Sequence, residues 1–581
     1  MLQVRNPLLS CFVLAVSLAS LISPPHRSFA QAPEKTQYDI VIINAHILDG
    51  SGSPWYEGSV AIMNGKIAEI GRIGTPAAQR TIDAKGLIVA PGLIDLHSHS
   101  DFSLLADGKA ESKIRQGVTT EIIGESGSAG PVLGPAIPPL EKDLAAMGLK
   151  RTWGSLGEYF ATIQKHGMAV NIASYVGSGQ VRLDVMGNVN RAPTPAELDQ
   201  MKALVDQAMS DGAIGLSSGL IYPPNAFAKT DELIELAKVA AGYGGIYTTH
   251  LRDEGDREPE ALREAIEIGE RGGLPVHILH FKMAAKQNWG KIGEMSAIIQ
   301  SARDRGLDIT ADQYPYVAGM TGLKMVLPTK FLEGTHQEVI DRLKNAAARE
   351  EIRRLIETGA PGWENHVQGS GGWHGVMVAS VQQPANKQYE GKRMDDVAQM
   401  MGKEPIDALC DLLISEETFP YAIYFQMSES DVRAGLQEPW VGIGSDGSAV
   451  NPEMKFIGRP HPRFYGTFPR VLGVYVREQK VIGLPDAIRK MTSLPAQITG
   501  LSDRGLLRPG MAADITIFDP ATVADRATFE EPSQYPVGIP YVIVNGVVVV
   551  DQGKHTGALP GRVLCGHGKV VGKTALTRSK D

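Results

Sequence analysis

The sequence predicts an α/β protein: a (β/α)8 TIM-like barrel, with a small β-sandwich domain formed from both termini and an insertion between barrel strands 7 and 8. Three observations carry this. Short apolar, strand-like runs end near His97, Gly124, Gly177, Gly219, His250, His280, Asp312 and Asp446. Helix-like stretches separate most of them, among them Thr194 to Gly212, Asp231 to Ala241 and Pro259 to Arg271; that alternation belongs to a parallel sheet with crossover helices. Hairpin-rich β segments flank this long middle on both sides.

Residues 1–30 read as a secretory signal peptide. Arg5 gives a basic start, Leu8 to Ile22 is a mostly apolar run, and Ser28-Phe29-Ala30 puts small residues where a cut is made. The run is short for a membrane span, so the mature protein is expected to be exported and soluble, in the periplasm of a Gram-negative source, with no stable membrane insertion. Residues 31–91 form the first part of the small β domain: Tyr38 to Ile42, then Ser59 to Met63, a turn at Asn64-Gly65, and Ile67 to Ile70. The barrel is placed at 92–500. The stretch from about 317 to 440 is too long for one crossover and is read as the insertion. Residues 501–556 return to β structure, with Asp514 to Phe518, Tyr541 to Val544, a turn at Asn545-Gly546, and Val547 to Val550. Residues 557–581, with Lys569, Lys573, Arg578 and Lys580, read as a flexible basic tail.

Composition excludes several classes. A net charge of −8 without a long basic run in the folded part argues against a nucleic-acid partner. Three cysteines, one of them (Cys11) in the leader, cannot make a disulfide framework. The oligomeric state is not readable from the chain.

The strand ends carry the chemistry. Gly92 to Leu96 runs into His97-Ser98-His99; side chains two apart on a strand point the same way, so His97 and His99 can share one ion. His250 and His280 each end a barrel strand, and neutral imidazole suits zinc and similar ions. Four histidines can hold two ions if a carboxylate bridges them, and Glu125, closing Glu121-Ile122-Ile123-Gly124, is the candidate. His277 faces the other side of its strand and is expected to be structural. Asp446 closes Val441 to Ser445; facing a metal-activated water, it can take a proton and deliver it to a leaving nitrogen. The expected cofactor is Zn2+, one ion or two, with another divalent metal left open. Together these groups describe hydrolysis of an unactivated amide.

At this point the chain resembles the N-acyl-D-amino-acid deacylases (D-aminoacylases) of the amidohydrolase superfamily. The matching pieces are Pro91 to His99, Gln116 to Thr120, Gly212 to Tyr222, Thr249 to Glu254, His280-Phe281-Lys282, Asp312 to Tyr316, Gly444 to Gly447, His461-Pro462-Arg463 and Met511 to Ile515. The resemblance spans about 38 to 555. It implies a zinc site at the four histidines and Asp446 as proton shuttle. It also implies a small-molecule N-acyl amino acid substrate, D stereochemistry, and a substrate-binding set of Lys282, Tyr314, Arg463 and Arg252. One departure stands out: family members carry a cysteine ligand in a Gly-Asn-Cys-Gly setting, and here the run is Gly124-Glu125-Ser126-Gly127. Neutral serine is a poor zinc ligand, so Glu125 is expected to take its task. Two alternatives are weighed. A cyclic-amide hydrolase (hydantoinase or dihydroorotase type) or a dipeptidase on the same barrel commonly uses a carboxylated lysine after the fourth strand, where this chain has Leu216-Ser217-Ser218-Gly219-Leu220. A non-catalytic exported binding protein would have no evident need for Asp446.

Overall fold

The computed structural model describes residues 37–571, apart from 75, 76 and 417. The signal-peptide reading over 1–30 lies outside the described residues. Strands from the two ends of the described chain build one sheet. Its first part is β1 (Gln37–Ile47), β2 (Tyr56–Met63), β3 (Lys66–Gly71), β4 (Ala77–Asp83) and β5 (Ile88–Pro91). The middle of the chain supplies parallel strands: β6 (Leu93–Asp95), β7 (Val118–Ile123), β8 (Asn171–Ser174), β9 (Val176–Gly177), β10 (Gly215–Gly219), β11 (Ile246–His250), β12 (Val276–Ile278) and β13 (Ile309–Gln313). β14 (Gly319–Gly322), β15 (Val376–Ser380) and β16 (Tyr421–Tyr424) follow, then β17 (Val441–Ile443). The terminal sheet is completed by β18 (Ile515–Phe518), β19 (Tyr541–Val544), β20 (Val547–Asp551) and β21 (Lys554–His555).

In the terminal sheet the order is β21-β20-β19-β18-β5-β1-β2-β3, with β4 on β1. The antiparallel pair of β5 with β18, Ile515 opposite Pro91, joins the two ends of the chain. Asn64-Gly65 and Asn545-Gly546 both have positive φ at each residue, the turn whose twist suits a two-residue hairpin. Ile42, Ile47, Val60, Ile62, Val89, Ile515 and Ile543 share one buried cluster on this sheet.

The parallel strands fall into two runs, β6-β7-β8 and β9-β10-β11-β12-β13-β17. Only Tyr175 separates β8 from β9, and its N–H bonds to Ile123 across the gap at 2.9 Å. At the other edge Leu96 N–H bonds to the Ile443 carbonyl at 3.3 Å, and Ser98 makes a parallel bridge with Gly447. Every residue of β7, β10 and β11 is buried, as expected of parallel strands covered on both faces. The covering helices follow local rules. Thr194 and Glu197 form a reciprocal capping box on Pro195–Asp211, and Gly212 ends that helix at φ 117. Met201, Val205, Ala208 and Met209 are its buried stripe.

Between β13 and β17 the chain forms an antiparallel β14-β16-β15 sheet with helices that include Ala346–Thr358 and Pro405–Ser415. This segment has its own apolar cluster, containing Leu343, Ile352, Val378, Leu409 and Leu412, which also takes in Ile221 from the turn after β10. Cys410 and Cys565 are both free. One expectation fails: residues 557–571 are not a loose tail. Ile172 N–H bonds to Arg562 at 3.0 Å, Leu564 N–H to Ile172 at 2.7 Å and Gly566 N–H to Gly212 at 2.9 Å. The segment satisfies backbone groups at the start of β8 that the parallel sheet leaves unpaired.

Candidate active site

The side chains that matter stand where the parallel strands end. β6 stops at Asp95, so His97 and His99 lie just beyond it. Their convergence comes from backbone stitching: Ser98 N–H bonds to Ile122 at 2.9 Å and His99 N–H to Gly447 at 3.1 Å. Gly124, at φ 89, turns the chain out of β7 where an added Cβ would meet the Tyr175 carbonyl at 2.5 Å. That turn delivers Glu125, whose Oε2 is 2.8 Å from His97 Nε2 and 3.0 Å from His99 Nε2. Asp446 Oδ1 is 3.0 Å from His99 Nε2 and 3.7 Å from His97 Nε2. His250 Nδ1 and His280 Nε2 are 2.7 Å apart. One ligand atom each from His97, His99, Glu125 and Asp446 lie within 4.8 Å of one another, and so do those of Glu125, His250 and His280. Glu125 is therefore common to both groups.

Backbone strain marks the same places. His280 and Asp446 hold φ of 39 and 51, and Ser126 holds 51; non-glycine residues persist there only where surroundings over-determine them. Ser126 Oγ stands 3.0 Å from where a Gly219 Cβ would be. Ser126 thus lies against the end of β10, and the neighbouring Glu125 carboxylate faces His97 and His99.

These residues fit a divalent cation. Glu125 Oε1 is buried without a hydrogen-bond partner among the described residues. An unsatisfied buried polar atom costs about 1–3 kcal/mol, more when charged, and coordination removes that cost. Burial pushes His250 down to about 3, with Glu254 pulling the other way, so it stays a neutral ligand. At His97 and His99 burial also opposes charge, but Asp446 and Glu125 outweigh it and raise both, His99 to about 9. Two carboxylates crowding two imidazoles demand positive charge between them. Burial opposes ionisation at Asp446 too. Arg463 and His97 override it and hold the carboxyl well below its usual range.

The remaining expected residues separate into three that adjoin this group and one that does not. Arg463 Nη1 is 2.8 Å from Asp446 Oδ2, and its Nη2 donates to the Met320 carbonyl at 3.1 Å. Lys282 Nζ is 2.7 Å from Glu254 and 2.8 Å from His280 Nδ1. Tyr314 lies between the two cations, its ring centre 4.8 Å from the Arg463 guanidinium carbon and 5.9 Å from Lys282 Nζ. Arg252 stands apart. It grips Glu264 through Nε at 2.7 Å and Nη2 at 2.9 Å, and donates to the carbonyls of Ala226 and Ala228. Its donors are engaged by the helix Glu258–Gly272 and its neighbours, which removes it from the substrate-binding set.

Two carboxylates were not singled out from the sequence. Glu254 is buried, with Oε1 2.9 Å from His280 Nδ1 and Oε2 3.4 Å from His250 Nε2. Asp312 Oδ2 is 2.9 Å from His277 Nε2, and its Oδ1 accepts the His280 N–H at 2.9 Å. His277 thus supports the site from behind. Tyr222 is a third addition, its ring 5.0 Å from that of His250 and its hydroxyl accepting from Thr321 at 3.1 Å.

This arrangement has close counterparts. The model of the amidohydrolase family matches residues 80–550, four-fifths of the chain. D-aminoacylase of Alcaligenes xylosoxydans xylosoxydans is 37% identical over 527 residues, 91% of this chain and 97% of its own length. The chain belongs to the amidohydrolase family. A second relative of this amidohydrolase, the N-acyl-D-glutamate deacylase of the same organism, is 33% identical over 93% of this chain and 99% of its own. Among solved structures, the N-acyl-D-glutamate deacylase from Bordetella bronchiseptica, complexed with zinc and a phosphonate mimic of the tetrahedral intermediate, superposes with a TM-score of 0.78. It is 34% identical, covering 91% of this chain and 100% of the other.

Proposed function

We propose that this protein is an exported zinc-dependent deacylase that cleaves the amide bond of N-acyl-D-amino acids, giving a carboxylate and a free D-amino acid. The observation that carries the reading is one carboxylate, Glu125, shared by two histidine pairs beside an Asp446 kept ionised by Arg463. The D-aminoacylase and D-glutamate deacylase relatives supply the substrate class.

We read the two parallel runs as one closed (β/α)8 barrel, its strand β8–β9 broken at Tyr175, with the site on the face where such barrels place their chemistry. The terminal sheet is read as the small β-sandwich, and residues 317–440 as the insertion covering the site. His97, His99, Glu125, His250 and His280 would hold one or two zinc ions, which polarise a carbonyl and make water nucleophilic near neutral pH. Asp446 takes the proton of the attacking water and delivers it to the leaving nitrogen. Arg463, whose Nε has no hydrogen-bond partner among the described residues, offers a free donor to the substrate α-carboxylate, with Lys282 and Tyr314 beside it. Strand β10 ends at Ser217-Ser218-Gly219 without a lysine, so nothing favours the cyclic-amide reading. The basic start and apolar run within residues 1–30 support reading them as a leader, with the mature chain exported to the periplasm of a Gram-negative source; a fractionated protein that retains those residues would overturn that part.

The deciding comparison is a panel of N-acyl-D-amino acids against hydantoins, dihydroorotate and dipeptides. Amine release from the first set alone is expected. Turnover confined to the cyclic amides would replace the deacylase reading, and turnover of none would return the protein to the binding class.

A further inference from the structure

Beneath the first histidine pair lies a polar cluster that the reaction does not use. Lys113, on the short helix Glu111–Ile114, is completely buried. Its Nζ donates to Asp95 Oδ2 at 2.6 Å, to Ser445 Oγ at 2.5 Å and to the Gly447 carbonyl at 2.9 Å. Ser445 Oγ in turn donates to Asp95 Oδ2 at 2.6 Å, and Asp95 Oδ1 accepts the Ser445 N–H at 2.7 Å. Ser98 and Ser100 both donate to buried Glu121, which is 3.6 Å from Lys113 Nζ.

Burying an ammonium is costly unless every donor is matched. The three shortest contacts of Lys113 go to two places: the strand leading into His97 and His99, and the turn around Asp446. Lys113 holds the residues on both sides of Asp446, through Ser445 Oγ and the Gly447 carbonyl, while Asp446 itself sits at φ 51. Relaxing that backbone would swing the carboxylate away from His99 and Arg463. We propose that Lys113 is a positioning residue: through Ser445 and Gly447 it enforces the left-handed backbone at Asp446 and so aims the shuttle carboxylate. This rests on Asp446 being the shuttle. Lys113 touches neither substrate nor metal ligands in this role.

The test is a set of variants of the mature zinc-loaded protein. Lys113→Met leaves Asp95 buried without its cation and can fail to fold, so Ser445→Ala, which keeps the Lys113–Asp95 pair, decides the matter independently. Ser445→Ala is expected to lower kcat about tenfold or more, a fraction of an ångström in aim being enough, with KM within about twofold and zinc per chain unchanged. Because the effect runs through Asp446, Ser445→Ala should cost nothing more in an Asp446→Asn background, the non-additivity of coupled residues. Equal losses in both backgrounds, a loss that tracks zinc content, or an unchanged kcat overturns the positioning role. If Asp446→Asn itself keeps normal kcat, the shuttle reading has failed first, and the positioning role falls with it.

Discussion

His97 and His99 sit on one short segment bonded to its neighbours on both sides, whereas His250 and His280 come from the ends of two separate strands. The first pair belongs to a segment bonded to Ile122 on one side and Gly447 on the other, above the Lys113–Asp95 ion pair. His250 ends β11 opposite Gly219 and the His280 N–H bonds to Asp312, and one carboxylate, Glu254, then links both imidazoles and Lys282. Backbone stitching places a ligand whatever the local charge. A carboxylate against a ring also sets which nitrogen faces the metal and how basic it is. Glu254 does this behind the second pair, while Glu125 and Asp446 face the rings of the first. Glu125 and Asp446 stand at the junction.

Four substitutions would break or sharpen this contrast. The largest effect is expected from Asp446→Asn: kcat falls by about 10²–10⁴, the range for losing a general acid–base, with zinc content intact. Near-normal turnover would remove the shuttle. Glu125→Ala strikes both halves at once, and elemental analysis should find that zinc falls by about half or more, since one carboxylate serves both histidine pairs; unchanged stoichiometry would take Glu125 out of the site. Glu254→Gln should weaken zinc affinity about 10–100-fold, as other losses behind a ligand do, and competition with a chelator would read it. If affinity holds while only KM rises, Glu254 serves Lys282 and not the imidazoles. Arg252→Ala should do least: KM within about twofold and a stability change under about 1 kcal/mol, as for a partly exposed ion pair. A large KM rise would return Arg252 to the substrate.

The contrast also explains what the sequence made legible. His97, His99, His250, His280, Glu125 and Asp446 were readable because strand-end positions in an alternating α/β pattern project to one face. Arg252 was placed with the substrate and Glu254 was given no role, for a physical reason. Both are charged residues in the same loop, two positions apart, and only the path of that loop decides that Glu254 turns inward and Arg252 outward to Glu264. Lys113 was not singled out, because its role is not local. Its partners come from Asp95 and from Ser445 and Gly447, more than three hundred residues on, and no local pattern encodes that meeting. The segment 557–571 was read as loose from its polarity, yet its backbone, not its side chains, is what pairs with Ile172 and Gly212.

The central claim is metal-dependent, D-selective deacylation, and one titration tests it most directly. The mature protein is stripped with a chelator, zinc is returned stepwise, and amine release from matched N-acetyl-D- and N-acetyl-L-amino acids is followed against the ion count. No release is expected from stripped protein, with release from the D series alone as zinc fills the site. Release that persists without metal, or that proceeds equally from the L series, would contradict it.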